Sequence, residues 1–198
     1  MAQKRKNNNA VQKLAIGGIL TALVIVLQML GQFIKFGPFA ISLVLIPIVL
    51  GAALCDYKTS TWLGFIFSVV VLFTDAAPFF AISVPGTIIT VILKGTLCGL
   101  AAGLVYKALQ KKGVNKTVSV FAAAIVCPIV NTGIFSLGCF TFFLDAVSEW
   151  GVSGGFTNVV QYVFVGMIGL NFLVELAINV FLSPVIVRLI DFSKKLYK

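Results

Sequence analysis

The chain has 198 residues, 60% of them hydrophobic and 11% charged, with a mean hydropathy of +1.09 and a formal charge of +9. A soluble domain is about half apolar and a quarter charged, so an ordinary soluble domain is excluded and the expected solvent is lipid. The basic residues sit in short segments between apolar runs, a pattern that membrane topology requires, and no nucleic-acid partner is expected.

In chain order, the basic, polar start "MAQKRKNNNAVQK" precedes a long apolar run. That run is too long for the h-region of a signal peptide and no A-x-A site closes it, so 11–34 reads as a first transmembrane span. "KFGPF" then breaks the chain with Gly37 and Pro38. A second, short span is expected over 39–55, interrupted by Pro47, and a third over 61–73, ending near Asp75 and Pro78. The fourth covers 85–106 and the fifth 118–144, with Pro128 inside it. A loop, "DAVSEWGVSGGFTN", leads into the sixth over 160–190. A helix needs about 20 apolar residues to cross a bilayer, and most of these segments meet that length. The expected fold is an all-α integral membrane protein, a six-transmembrane-helix bundle forming a single membrane domain over 1–198.

Six spans put both termini on one side. Lys4, Arg5, Lys6, Lys13, Lys58, Lys107, Lys111, Lys112, Lys116, Arg188, Lys194, Lys195 and Lys198 all fall there, against Lys35 on the other. By the positive-inside rule the basic side is cytoplasmic. The opposite side carries Asp75, Asp145 and Glu149.

Ionisable groups inside spans are costly and face a bundle interior or a cavity. Lys94 and Glu175 are the two deep ones. At 1.5 Å per residue, Lys94 lies roughly 15 Å from the outer end of its span, and Asn131 and Glu175 roughly 20 Å from the outer ends of theirs. On the sixth span Asn171, Glu175 and Asn179 follow at i, i+4, i+8 and share one helix face. Thr87 and Thr90 accompany Lys94, and Thr132 follows Asn131. Two compatible readings fit. Lys94 and Glu175 form a buried ion pair between spans, or they and the amides floor a pocket for a polar ligand. The outward loops carry Phe36, Phe39, Phe79, Phe80, Trp150 and Phe156, which suit an interfacial aromatic belt or lids over an outward pocket.

Span one presents Ala15, Gly18 and Ala22, and Gly18-x-x-x-Ala22 is a small-xxx-small pair that admits a close helix neighbour. The four cysteines form no CxxC pair and read as small buried hydrophobes. The chain has no histidine, which removes the commonest general base and metal ligand. No catalytic residue, metal or cofactor is expected, and no inverted repeat of the transporter kind is visible.

Together, "QKLAIGGILTALVIVLQML", "FAISLVLIPIVLGAAL" and "ILKGTLCGLAAGLVYKAL" resemble the substrate-binding S components of energy-coupling factor (ECF) vitamin transporters, over about 12–195 of the chain. The resemblance implies six helices, both termini inside, and no ATPase or other enzymatic activity. It implies that Gly18 and Ala22, with Ala15, replace the family's AxxxA motif and dock on a transmembrane coupling subunit driven by two ATPase subunits. It places substrate in the outer half, implicating the Phe36–Phe39 loop, the Asp75–Phe80 loop, Lys94, Asn131, Trp150 and Glu175. With the polar stripe, the expected substrate-binding set is Phe36, Phe39, Phe79, Thr90, Lys94, Asn131, Trp150, Asn171, Glu175 and Asn179.

The expected function is capture of a small water-soluble vitamin or precursor at a prokaryotic plasma membrane, with a lean to a carboxylate such as pantothenate or folate, which suits Lys94. The chain has no GxxxxGK[ST] phosphate loop, so ATP hydrolysis falls to partners. The alternative is an autonomous secondary carrier using a Lys94/Glu175 relay. An intramembrane protease is disfavoured by the absence of histidine and of a GxGD motif; a ligand-free assembly protein is a further rival.

Overall fold

A computed structural model describes residues 2–33, 35–36, 39–40 and 43–196, with side chains over 10–33 and 43–192. The elements are helix α1 (Ala2–Gly31), strands β1 (Lys35–Phe36) and β2 (Phe39–Ala40), and helices α2 (Leu45–Leu54), α3 (Tyr57–Thr74) and α4 (Ala77–Phe80). They continue with α5 (Val84–Lys111), α6 (Lys116–Phe142), α7 (Leu144–Ser153), α8 (Val159–Gln161), a π-helical turn over Tyr162–Met167, and α9 (Gly169–Leu196). The two short strands pair antiparallel, Lys35 with Ala40 and Phe36 with Phe39.

Five helical stretches are long and apolar enough to cross a membrane: Ala10–Gly31, Tyr57–Thr74, Val84–Lys111, Lys116–Phe142 and Val159–Phe192. The sequence reading expected a second span over 39–55. The helix there is Leu45–Leu54, about 15 Å long at 1.5 Å per residue and short of a bilayer core of about 30 Å.

The other boundaries moved for local reasons. The third helix starts before the expected 61, within the polar "DYKTS", because Asp56 caps α3 and accepts from the Thr59 N–H at 2.9 Å. This satisfies one of the free donors of a first turn. Ser83 caps α5 in the same way, accepting from Gly86 N at 3.2 Å, with Pro85 in the first turn. At its other end α5 runs on through Lys107 to Lys111, where a basic residue complements the helix dipole. Gly113, at φ +74°, then turns the chain, and Asn115 caps α6. The segment read as an outward loop before the last span holds α7.

Small residues set the closest packing. Gly95, Gly99 and Gly103 line one face of α5 at i, i+4, i+8, opposite Ser60, Gly64 and Ser68 of α3. A Cβ on Gly99 would collide with the Ser60 carbonyl oxygen, and one on Gly103 would stand 2.7 Å from the Tyr57 Cα. Such seams let helix backbones meet where lipid gives no hydrophobic drive. On its other side α5 packs against α6, where a Cβ on Gly138 would strike the Thr90 side chain.

Contacts also fix which helix ends lie together. Lys13 pairs with Asp56 at 3.2 Å, joining the starts of the apolar part of α1 and of α3. Tyr57 meets the last turns of α5 at Gly103. Lys116 pairs with Asp191, joining the start of α6 to the last turns of α9. At the other end, Gln28 and Gln32 of the α1 end reach Asp75 at the end of α3, at 2.8 and 2.7 Å. Among the described residues, Lys13, Lys58, Lys107, Lys111, Lys112, Lys116 and Arg188 therefore lie toward one end of the bundle, with Lys94 apart from them.

The apolar core has two parts. One spans α1, α2, α3, α5, α6 and α9 around Val24, Val44, Ile48, Leu63, Phe67, Val120 and Ile186. The other gathers Phe79, Cys139, Phe143, Val147, Val163 and Met167 at the end bearing α4 and α7. Cys98, Cys127 and Cys139 are buried as expected, and all four cysteines are free thiols.

Candidate functional site

A cavity of about 80 Å³ opens where the two core clusters meet. A water needs roughly 10–15 Å³ of such space, so the volume suits several waters or part of a small polar molecule. Val71 and Val91 come from the first cluster and Phe79, Met167 and Ile168 from the second. Between them stand Gln28, Asp75, Lys94, Asn131, Thr132, Asn171 and Glu175, with Phe135 and Phe172.

Each helix delivers its group for a local reason. The glycine seam holds α5 against α3 and fixes Lys94, the neighbour of Gly95. The ammonium lies 5.6 Å from the Phe67 ring centroid and 5.2 Å from that of Phe135, a cation–π arrangement. Among the described residues the ion pairs within 4 Å are Lys13–Asp56 and Lys116–Asp191. Lys94 is thus without a direct carboxylate contact there, although Glu175 and then Asp75 are the carboxylates acting on it electrostatically. The buried ion-pair reading of the sequence becomes a charge pair across the cavity rather than a contact.

On α9 the polar stripe at four-residue spacing turns inward. Asn171, Glu175 and Asn179 are 8%, 5% and 0% exposed. The π-helical turn at Tyr162–Met167 precedes it, held by Ile168 N–H on the Val163 carbonyl at 2.9 Å, and it brings Met167 and Ile168 to the wall. π turns inside helices recur at functional sites.

Three amides on this wall are unsatisfied. Gln28 Oε1, Asn131 Oδ1 and Asn171 Oδ1 are enclosed and lack a hydrogen-bond partner, and their residues are 2%, 5% and 8% exposed. An orphaned buried polar group costs about 1–3 kcal/mol. A cavity lined by such groups and by a lysine without a carboxylate contact favours a ligand that supplies the missing partners.

Of the expected binding set, Phe79, Lys94, Asn131, Asn171 and Glu175 line the cavity. Thr90, Trp150 and Asn179 do not. Thr90 is buried in the α5–α6 contact with Gly138. Trp150 packs edge-on against Phe79 at 5.7 Å. Asn179 lies a turn further along α9 and donates from Nδ2 to the Glu175 carbonyl at 2.8 Å. The side chains of Phe36 and Phe39, with Gly37 and Pro38, lie outside the described residues. Ala15, Gly18 and Ala22 are exposed on α1, and a Cβ on Gly18 would meet nothing within 4 Å.

Gln28 was missed by sequence reasoning, and Asp75 was implicated only as part of the Asp75–Phe80 loop, outside the expected binding set. The signal was present: Gln28 and Gln32 form an i, i+4 polar pair on an otherwise apolar span, one turn apart and able to share one partner.

A bundle of apolar helices enclosing a polar, partly unsatisfied cavity fits a membrane protein with room for a small polar molecule. The comparison of sequences gives the same class: residues 12–187 match the family described as the ECF transporter, substrate-specific component, and the chain belongs to that family. It is a multi-pass membrane protein and a substrate-specific transport subunit with a small-molecule substrate, a role that implies no enzyme activity. No curated protein and no solved structure matches the chain.

Proposed function

We propose that this chain captures a small water-soluble vitamin or vitamin precursor in the cavity and hands it to an ATP-driven importer. The observation that carries this reading is the meeting of Lys94, clear of direct carboxylate contact, with the orphaned amides of Gln28, Asn131 and Asn171 in one cavity among apolar helices. The chain forms one membrane domain in a prokaryotic plasma membrane. It crosses six times, the segment around Leu45–Leu54 completing the second pass, and both termini are cytoplasmic. Two facts support that topology: most of the described basic residues lie toward one end, and the Lys13–Asp56 and Lys116–Asp191 pairs bring the early and late parts of the chain there.

The Ala15, Gly18 and Ala22 face, open on α1, docks on a transmembrane coupling subunit driven by two ATPase subunits. The protein then topples in the membrane to release its cargo inside. A carboxylate on the cargo, as in pantothenate or folate, suits the donor-only Lys94 ammonium.

Two assays test the reading. Purified in mild detergent without partners, the protein should carry a co-purifying vitamin identifiable by mass spectrometry. Reconstituted with a coupling subunit and ATPases, it should support uptake that requires ATP. Uptake driven by a proton gradient without partners would favour a carrier working through Lys94 and Glu175 instead.

A further inference from the structure

Resting on the reading of the cavity as the substrate site, the hydrogen bonds around Asp75 say more about what the substrate must carry. Asp75 ends α3, and its backbone N–H is held by the Val71 carbonyl at 2.9 Å. Its Oδ2 accepts from Gln28 Nε2 at 2.8 Å, Gln32 Nε2 at 2.7 Å and Thr74 Oγ1 at 3.1 Å. Three donors on one oxygen fix the carboxylate's orientation. Oδ1 accepts from none of the described residues, and Asp75 lines the cavity.

Gln28 has committed its NH₂ group to Asp75, so its amide cannot be turned over. The orphaned atom is therefore an acceptor, Oε1, in a residue 2% exposed. Among the described residues the unpaired atoms of this corner, Gln28 Oε1 and Asp75 Oδ1, are thus acceptors, whereas Lys94 is a donor alone.

We infer that Asp75, oriented by Gln28 and Gln32, determines specificity by selecting a substrate with an amino, ammonium or hydroxyl donor at the end opposite the acceptor group that Lys94 takes. A carboxylate fits the site when it travels with such a donor.

The test is calorimetric titration of the full-length protein in detergent with five compounds. Nicotinate has a carboxylate and no hydrogen-bond donor. Pantothenate and biotin add O–H or N–H donors to a carboxylate. Pyridoxine and thiamine carry donors and no carboxylate. The tightest binder should be donor-bearing, and Asp75→Asn, which can turn an N–H₂ toward the cavity, should weaken it about tenfold or more. Gln28→Met provides a second reading should Asp75→Asn fail to fold: it removes the neighbouring acceptor and leaves Gln32 on Asp75, and it should weaken the same compound severalfold. Nicotinate binding as tightly as the donor-bearing compounds, or the best binder keeping its affinity within about twofold in both variants, would overturn the inference and leave the substrate site standing. Failure of every compound to bind would overturn the substrate-site reading, and this inference with it.

Discussion

Gln28 of α1 donates to Asp75 at the end of α3 across 2.8 Å, and the same glutamine borders the cavity. Much of α1 otherwise faces outward: Leu14, Ile19 and Met29 are 78%, 70% and 56% exposed. A polar tether thus connects the most peripheral long helix to the cavity wall. A hydrogen bond to a charged group contributes about 1.5–3 kcal/mol. Because Gln32 stays in place, Gln28→Leu should lower stability by an amount near the bottom of that range. Thermal unfolding in detergent measures it; an unchanged midpoint would show that the tether adds nothing.

The α3–α5 seam makes a sharper demand. The carbonyl of Ser60 occupies the space that a side chain at Gly99 needs, and the obstacle is backbone that cannot swing away. Gly99→Ala should cost about 3 kcal/mol or more, the upper part of the range for overpacking, seen as lost folded protein in size-exclusion chromatography and a lowered unfolding midpoint. Retention of wild-type stability would mean that the two helices do not approach so closely.

Gly18 is the opposite case, with open space where a Cβ would sit. Gly18→Leu should leave thermal stability within about 0.5 kcal/mol of wild type and leave vitamin binding intact, while co-purification with a coupling subunit is lost. Undisturbed co-purification would remove this face from the docking surface.

How much was legible in the sequence followed from the physics of each feature. The long spans were legible because apolar length alone defines them, and Lys94, Asn131, Asn171 and Glu175 stood out because each is costly in lipid. Thr90 and Asn179 share helix faces with those groups, but a face says nothing about depth. Thr90 went to a helix contact and Asn179 to its own backbone. Gln28 escaped because its partner, Asp75, lies 47 residues on, and only tertiary folding makes two such groups neighbours. The start of α3 escaped because "DYKTS" is polar, although Asp56 three residues before Thr59 is a capping signal. The Gly95, Gly99, Gly103 spacing is visible in the sequence, but only the facing Ser60, Gly64 and Ser68 of α3 show that it is a helix contact.

The Asp56 cap also predicts an acid response. Burial pushes its carboxyl up, but the Thr59 N–H, the Lys13 ammonium and the Thr59 hydroxyl outweigh it and hold the group below its ordinary value of 3.8. A carboxyl held lower in the folded state adds stability above its unfolded value, and loses it as pH falls through the folded one. Wild type should therefore lose more stability than Asp56→Asn between about pH 5 and pH 3, by no more than about 1 kcal/mol because the pair is partly exposed and screened. Parallel curves for the two proteins would remove the effect.

The most direct test of the central claim is a binding titration of purified wild type and Lys94→Met with a panel of water-soluble vitamins. The account predicts that one compound binds wild type tightly and is weakened about tenfold or more by the substitution, the effect expected on losing a charge-assisted hydrogen bond. Equal affinity in both proteins would contradict the assignment of Lys94, and no binding to wild type would contradict the cavity as a substrate site.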